Sequence, residues 1–325
     1  MNKAIRIYET GGPEVLKWED VQLKEPKPNE VRLKHTAIGL NFIDCYHRSG
    51  LYPVELPQIL GSEAVGTIEA LGTNVSDFEI GQRVTYCGGQ TGSYSIERNI
   101  DTGVLIPLPN NIKDQDAAAM MLKGLTVHML MFKCYKVKSG DTILVHAAAG
   151  GVGSIMCQWA NSIGANVIGT VGSDDKAEKA SNNGCHHVIN YSQEDFSNCV
   201  SEITNGEGVP VVYESIGKST YEKSMDCLSN FGTLVNFGNA SGPIPAVEPL
   251  ELMRKGSLSL SRPTLFHYTS DIERRQTAAE ALFKVVASGD VNIEIGQSYP
   301  LSDARIAHAA LEARQTTGST ILIPN

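Results

Sequence analysis

The chain has 325 residues, of which 42% are hydrophobic, so it is long enough for two domains that each bury a core. Its net charge of −9 excludes the general basic surface that nucleic acids and anionic membranes require. The seven cysteines are scattered without a CxxC pair, and we find neither a signal peptide nor a run of about 18 apolar residues. We therefore expect a cytoplasmic protein without a disulfide framework, a zinc knuckle or a membrane span.

Short β-branched runs separated by glycine turns fill residues 1–120, a pattern typical of a small strand-rich domain. The runs predict strands over residues 4–8, 31–38, 64–71 and 83–87. Helical patterns follow over residues 41–48, 116–121 and 126–135.

From residue 125 onwards, predicted strands and helices alternate. Six strands are expected over residues 142–147, 166–171, 187–190, 209–214, 231–236 and 257–261. The tail adds helices over 272–287 and 303–313 and a last strand over 320–323. The fold class that follows is α/β, with a Rossmann-type doubly wound parallel sheet beside the β-rich domain.

A glycine-rich turn separates the first of these six strands from its helix. Its spacing, Ala148-x-Gly150-x-x-Gly153, is that of a dinucleotide-binding loop with alanine in place of the first glycine. Gly150 lets a pyrophosphate approach the backbone, and Gly153 lets the helix pack closely on the strand. The N–H groups and the positive dipole end of the helix favour phosphate. The residues that we assign to cofactor binding here are Ala149, Gly150, Gly151, Val152 and Gly153.

The end of the second strand distinguishes the two nicotinamide cofactors. An NAD site usually places an acid there for the ribose hydroxyls, but this chain has Gly172 and Ser173, followed by Lys176. Asp174 and Asp175 are the alternative ribose ligands, although they also fit the first turn of a helix capped by Ser173. Because a serine and a lysine suit a 2′-phosphate, we expect NADPH as the cofactor.

Motifs in both halves of the chain agree in order and spacing with one family. They include Gly11-Gly12-Pro13-Glu14-Val15-Leu16, Asn41-Phe42-Ile43-Asp44-x-Tyr46-x-Arg48-x-Gly50-x-Tyr52, Lys123-Gly124-Leu125-Thr126 and Phe237-Gly238-Asn239-Ala240-Ser241-Gly242. On these motifs the chain resembles quinone oxidoreductases of the zeta-crystallin type, in the medium-chain dehydrogenase/reductase superfamily. The resemblance implies a GroES-like catalytic domain of residues 1–124, completed by 264–325, and a Rossmann NADPH-binding domain of residues 125–263.

The resemblance also implies the site residues. Asn41, Asp44, Tyr46 and Tyr52 would line the cleft near the nicotinamide, where tyrosine hydroxyls can donate hydrogen bonds to a quinone oxygen. The alternatives are that both tyrosines pack a loop and that Asp44 caps the short helix. Further cofactor contacts would come from Thr126, Gly172, Ser173, Lys176, Tyr191, Phe237, Gly238, Asn239 and Arg314, in addition to Asn41.

Zinc alcohol dehydrogenases of this superfamily carry metal ligands at the positions of Asn41, Ser62 and Lys123. An alcohol or ketone needs a Lewis acid to stabilise an alkoxide, whereas a quinone spreads added electrons over a conjugated ring. We therefore expect no metal and an already activated acceptor. The pair His186-His187 opens a strand and is expected at the surface rather than on a metal.

The function predicted from the sequence is transfer of reducing equivalents from NADPH to small-molecule quinones. The alternatives are an alkenal or enone double-bond reductase and a non-catalytic NADPH-binding structural or RNA-binding protein. The net charge of −9 weighs against RNA. A homodimer is also expected, because the strand over residues 257–261 is the last of its sheet and has an uncharged edge.

Lys176→Ala should weaken NADPH binding about tenfold or more and leave NADH binding nearly unchanged. A charge-assisted bond to the 2′-phosphate contributes about 1.5–3 kcal/mol, and NADH lacks that group. Fluorescence titration with each cofactor measures the two dissociation constants. An equal loss for both cofactors would contradict the assignment of Lys176 to the 2′-phosphate.

Overall fold

The computed structural model describes residues 2–324, which form two compact units. The first unit runs to Lys123 and also contains Ala279–Phe283 and the tail from Ile293. The second unit contains Gly124–Ala278 and Lys284–Asn292. This division differs in the tail from the predicted return to the first domain at residue 264. Within the second unit, for example, the Tyr268 hydroxyl lies 3.0 Å from His128 Nδ1.

Sixteen strands and ten α-helices follow one another along the described residues. The strands are β1 (Lys3–Ile7), β2 (Lys17–Asp20), β3 (Glu30–Leu40), β4 (Gln58–Ile59), β5 (Glu63–Leu71), β6 (Arg83–Cys87), β7 (Glu97–Asp101), β8 (Ile106–Pro107), β9 (Thr142–Val145), β10 (Asn166–Val171), β11 (His187–Asn190), β12 (Val209–Glu214), β13 (Leu228–Asn236), β14 (Ser259–Ser261), β15 (Ile295–Pro300) and β16 (Ser319–Ile323). The helices are α1 (Phe42–Ser49), α2 (Asp114–Met129), α3 (Gly151–Ser162), α4 (Asp174–Asn182), α5 (Phe196–Ile203), α6 (Tyr221–Asp226), α7 (Pro249–Arg254), α8 (Leu265–Thr269), α9 (Ile272–Ala287) and α10 (Ala304–Glu312).

The first unit is strand-rich, as predicted. Its larger sheet has the order β15-β16-β3-β5-β6-β8, with β7 also paired to β3, and a small sheet has the order β2-β1-β4. Buried residues of the long strand β3 alternate with half-buried or exposed ones over its first half, and Val31 and Leu33 enter the core. The sequence did not predict β7, because four of its five residues are polar or charged and its position is set by antiparallel pairing with β3.

The second unit is a six-stranded parallel sheet in the order β11-β10-β9-β12-β13-β14. All six predicted strands are confirmed, although the fifth begins earlier, at Leu228, and the sixth later, at Ser259. Four fully buried residues, one on each central strand, align across the sheet: Ile168, Leu144, Val212 and Leu234. Burial of each such side chain contributes about 1.5–3 kcal/mol, and the row therefore fixes the register of the strands.

The predicted break between two helices near Gly124 is wrong, because α2 runs unbroken from Asp114 to Met129 and ends in a π-helical turn, Leu130–Cys134. A helical glycine costs about 1 kcal/mol relative to alanine, which tertiary packing overrides here. Asp114–Cys134 is apolar enough to cross a membrane by composition, with a mean hydropathy of 1.2. Since 72% of the apolar window is buried inside the protein, it has the character of a core helix.

Gly153→Ala should lower the free energy of unfolding by about 1–3 kcal/mol, the usual cost of overpacking. A Cβ on Gly153 would lie 2.2 Å from the carbonyl oxygen of Ala147, and backbone atoms cannot move aside as a side chain can. Gly150→Ala is the matched control, because its Cβ would lie 3.2 Å from the same oxygen. Urea unfolding of both variants measures the difference. Equal losses would contradict the close packing of α3 on the turn.

Candidate functional site

The glycine-rich loop forms a turn directly followed by a helix N-terminus. Ala147 adopts a left-handed φ of 53°, and the N–H of Gly150 donates to its carbonyl oxygen at 2.9 Å. Gly150 is the N-cap of the twelve-residue helix α3. The first N–H groups of a helix have no partner within the helix, and here no side chain larger than valine lies between residues 147 and 153. The loop therefore fits a dinucleotide pyrophosphate.

The carboxyl ends of β10 and β11 bring together the residues predicted for the 2′-phosphate and the adenosine. The Tyr191 hydroxyl lies 2.7 Å from where a Cβ on Gly172 would stand, so only glycine allows the ring this position. Ser173 is the N-cap residue of α4, and its side chain makes no capping hydrogen bond. Lys176 is half-buried in the first turn of that helix.

Asp174, the alternative ribose ligand, is already engaged. Its Oδ1 accepts a hydrogen bond from Asn190 Nδ2 at 2.8 Å, and its Oδ2 accepts one from Gln193 Nε2 at 3.1 Å. These bonds tie the start of α4 to the end of β11. Asp174 and Asp175 both lie in the first turn of α4, as the helix-capping alternative predicts.

The residues predicted for the nicotinamide ribose follow β13. The N–H of Phe237 donates to the carbonyl oxygen of Glu214 at 2.9 Å. A Cβ on Gly238 would lie 2.3 Å from the carbonyl oxygen of Ser215, so this loop packs directly on the loop after β12. Asn239 is buried beside it.

A buried polar network lies under these loops, and sequence reasoning missed it. The Glu214 carboxylate accepts from the N–H groups of Ile216 and Gly217, at 2.7 and 3.0 Å, and from Ser224 Oγ at 2.6 Å. His146 contacts Ser224 Oγ through Nε2, at 2.9 Å. Polar residues at the carboxyl ends of otherwise apolar strands were the signal that could have identified it.

In the first unit, the Glu63 carboxylate binds two of the three residues that the sequence resemblance assigns to zinc-ligand positions. Asn41 Nδ2 donates to Glu63 Oε1 at 2.7 Å, and the Lys123 ammonium lies 3.2 Å from the same oxygen. The N–H of Leu122 donates to Glu63 Oε2 at 2.7 Å. Glu63 has no exposed surface, and it was not among the predicted site residues. The signal was a charged residue at the start of a strand, directly before the apolar pair Ala64-Val65.

Asp44 accepts three hydrogen bonds in the interior of the first unit. They come from Asn41 N–H at 2.9 Å, Ser62 Oγ at 2.7 Å and the Tyr94 hydroxyl at 3.1 Å. The bond from Asn41 is that of a helix-capping residue at the start of α1. Burial raises the pKa of Asp44 to about 7, against the opposing effect of the bond from Ser62. Since Asp44 has no exposed surface, the structure favours the capping alternative over a direct substrate contact.

His308 extends this network from Tyr94 to Arg48. An Arg48 guanidinium nitrogen lies 3.1 Å from His308 Nδ1, and guanidinium can only donate, so Nδ1 accepts. Nε2 then carries the hydrogen and donates to the Tyr94 oxygen at 3.0 Å. Arg48 also forms an ion pair with Glu312 at 2.6 Å. Burial, and next the charge of Arg48, lower the pKa of His308 to about 3.

Tyr46 and Tyr52 lie on and just after the helix that Asn41 begins. Their ring centroids are 5.1 Å apart in an edge-to-face arrangement, and both side chains are half-buried. Asn41 is the N-cap of α1, on which Tyr46 lies, and Tyr46 contacts Tyr52 in the first unit. Arg314, which is exposed, follows α10 in the same unit, whereas Thr126 is buried on α2 in the second.

The residues at the zinc-ligand positions do not fit a zinc ion. The Asn41 amide donates to Glu63, the Ser62 hydroxyl donates to Asp44, and Lys123 presents an ammonium, whereas zinc takes thiolate, imidazole or carboxylate. Among residues 2–324, no three His, Cys, Asp or Glu side chains could together hold a metal ion. His186 and His187 are exposed, as expected.

The difference in free energy of unfolding between the unmodified protein and the His308→Gln variant should become smaller as the pH falls from about 7 to 4.5. Below pH 6.5, His308 binds a proton in the unfolded state. In the folded state the imidazole stays neutral until the pH falls to about 3. Acidification therefore lowers the free energy of unfolding by about 1.4 kcal/mol per pH unit through this residue, and glutamine removes that dependence.

Urea unfolding across this pH range measures the gap, with the exposed His187→Gln as the control whose curve should stay parallel. Because the pKa of Asp44 is raised in the folded state, acidification increases the free energy of unfolding through Asp44. This contribution is present in all three proteins and leaves the comparison unchanged. A constant gap for His308→Gln would contradict a neutral, buried imidazole.

Two sequence models of known families match the chain: an alcohol dehydrogenase GroES-like domain over residues 27–109 and a zinc-binding dehydrogenase domain over residues 151–282. A quinone oxidoreductase of Pseudomonas aeruginosa is 49% identical over the whole length of both chains. A 2-haloacrylate reductase of a Burkholderia species is 45% identical over 100% of this chain and 99% of its own. The crystal structure of Escherichia coli quinone oxidoreductase complexed with NADPH superimposes with a TM-score of 0.97 at 45% identity, covering 99% of this chain and 100% of that one. The chain therefore belongs to the quinone oxidoreductase family.

Proposed function

We propose that this protein transfers reducing equivalents from NADPH to small-molecule quinones without a metal ion. The observation that carries the proposal is the site in the first unit, where Asn41, Ser62 and Lys123 are bonded to buried carboxylates instead of a metal. A complete phosphate loop in the second unit supports the dinucleotide. The similarity to quinone oxidoreductases, one of them solved with NADPH, supports both the acceptor and the cofactor.

NADPH, when bound, supplies the hydride, and the chain binds and orients it. The loop from Ala149 to Gly153 holds the pyrophosphate on the N-terminus of α3. Ser173 and Lys176 hold the 2′-phosphate, with Gly172 and Tyr191 on the adenosine side. The remaining cofactor contacts come from Phe237, Gly238, Asn239, Thr126, Asn41 and Arg314.

We propose the GroES-like domain as residues 1–124 with 264–325 and the NADPH-binding domain as residues 125–263.

On the acceptor side, Tyr46 and Tyr52 donate hydrogen bonds to quinone oxygens. Their edge-to-face contact holds the two rings against each other, and Tyr46 lies on the helix that Asn41 caps. Asp44 supports this arrangement from the interior by holding the first turn of α1. Hydrogen bonds that strengthen as charge develops on the acceptor accelerate its reduction.

A second candidate activity is reduction of an activated carbon–carbon double bond. The 45% identity to 2-haloacrylate reductase over the full chain favours it, because that relative shares the fold and the length. Hydride addition to an alkene conjugated with a carbonyl group also places negative charge on an oxygen. The same donors would therefore serve either acceptor.

NADPH oxidation followed by absorbance, with a panel of quinones, enones, 2-haloacrylate and no acceptor, tests the proposal. We expect fast oxidation with quinones, slow oxidation without an acceptor, and full activity after treatment with a chelator. Preference for the alkenes would support the second candidate. If NADPH is oxidised with none of these acceptors, both activities are contradicted. If the chelator removes bound zinc and activity together, the metal-free site is contradicted.

We further propose that the protein is a cytoplasmic homodimer joined through the edge of its parallel sheet. Among the described strands, β14 pairs only with β13. Three exposed apolar residues flank this edge: Phe231 at 79%, Met253 at 57% and Leu250 at 47% exposure. Backbone hydrogen bonds connect these residues to the segment before β14. The N–H of Phe231 donates to the carbonyl oxygen of Gly256, and the N–H of Leu258 donates to that of Leu252 in α7. A second copy would cover both the edge and these side chains.

Met253→Glu should weaken the dimer about tenfold or more, because the dimer would bury an unpaired charge. Sedimentation velocity across micromolar concentrations measures the equilibrium. Ile306→Glu is the matched control, since Ile306 is also 57% exposed and belongs to the first unit rather than to the parallel sheet. A monomeric parent protein, or equal effects of both variants, would contradict this interface.

A further inference from the structure

Lys123 is a charged residue in the interior of the helix α2. Only 5% of its surface is exposed, and its ammonium lies 3.2 Å from Oε1 of the fully buried Glu63. Removing both charges from water is costly, and apolar residues of similar volume in place of such a pair are often neutral or stabilising. Stability alone therefore gives no reason to place a lysine here.

Glu63 would be hydrogen-bonded without this lysine. Asn41 Nδ2 donates to its Oε1 and the N–H of Leu122 to its Oε2, each at 2.7 Å. Lys123 adds a positive charge, and an ammonium has three N–H donors, of which the bond to Glu63 uses one. Because Lys123 and Asn41 share the same carboxylate oxygen, the charge is held next to the amide at the start of α1.

The surroundings carry negative charge. Asp44 accepts from the backbone N–H of Asn41, and Glu63 adds to the effects that raise the Asp44 pKa to about 7, of which burial is the largest. Lys123 is thus the cation of a cluster with two carboxyl groups. A fixed positive charge there can act on a developing oxyanion as a metal ion would, without ligand exchange.

We propose that the Lys123 ammonium is a catalytic group that donates a hydrogen bond to the acceptor oxygen on which negative charge develops. This inference rests on the proposed quinone reductase function. The quinone takes a hydride, with both electrons of the dihydronicotinamide C–H bond that breaks, and becomes a hydroquinone monoanion. A proton from water then completes the hydroquinone. Lys123 keeps its own proton throughout, and its contribution is electrostatic.

The decisive comparison is between Lys123→Met and the double variant Lys123→Met/Glu63→Gln. The single variant leaves a buried carboxylate without its cation, so a purely structural lysine would also make it defective. The double variant removes both charges and keeps the side-chain volumes. A structural role predicts that the double variant recovers activity, whereas the proposal predicts that it stays slow.

For the double variant we expect a melting temperature and an NADPH dissociation constant near those of the parent, and a kcat/KM for quinones about 100-fold lower. The loss should grow across a series of quinones as the pKa of the hydroquinone product rises, because a more basic oxyanion gains more from the ammonium. Recovery of parental activity, or an equal loss for every quinone, would overturn the proposal.

If the double variant does not fold, Lys123→Ala with added methylammonium decides the question. A saturable increase of quinone reduction with methylammonium, without a change in melting temperature, supports an electrostatic role in the reaction, and no increase overturns it. Failure of the underlying function is distinguishable, since the parent protein would then reduce no quinone in the series.

Discussion

Buried carboxylates that must be hydrogen-bonded by protein donors organise both halves of this molecule. A carboxylate without water costs several kcal/mol unless its lone pairs are occupied, so each one dictates the position of its donors. Glu63 receives Asn41, Lys123 and the backbone of Leu122. These contacts join the end of β3, the start of β5 and the middle of α2 within one unit.

Glu214 has the corresponding role in the parallel sheet. It ends β12, and its carboxylate holds the N–H groups of Ile216 and Gly217 in the loop that follows. Ser224 connects it to His146 at the end of β9. Ligands of open α/β sheets bind outside the carboxyl ends of the strands, so this network supports the loops that would hold the dinucleotide.

The same requirement relates this chain to dehydrogenases that bind zinc. A metal ion would provide positive charge and fix its ligands, and here Lys123, Asn41 and Ser62 are fixed by Glu63 and Asp44 instead. An acceptor that is already conjugated needs less polarisation than an alcohol or a ketone. This set of hydrogen-bonded side chains is therefore consistent with quinones and with activated alkenes as acceptors.

The sequence by itself determined what depends on local pattern. Short apolar runs between helical patterns identified the six strands of the parallel sheet, and the spacing of Gly150 and Gly153 located the glycine-rich loop, because these signals lie within a few neighbouring residues. Only the tertiary structure decided what depends on distant partners. It showed α2 continuous through Gly124, β7 paired to β3, and Asp44 buried under Tyr94 and Ser62. It also revealed Glu63 and Glu214, since a single charged residue in a sequence carries no record of the donors that will surround it when the chain folds.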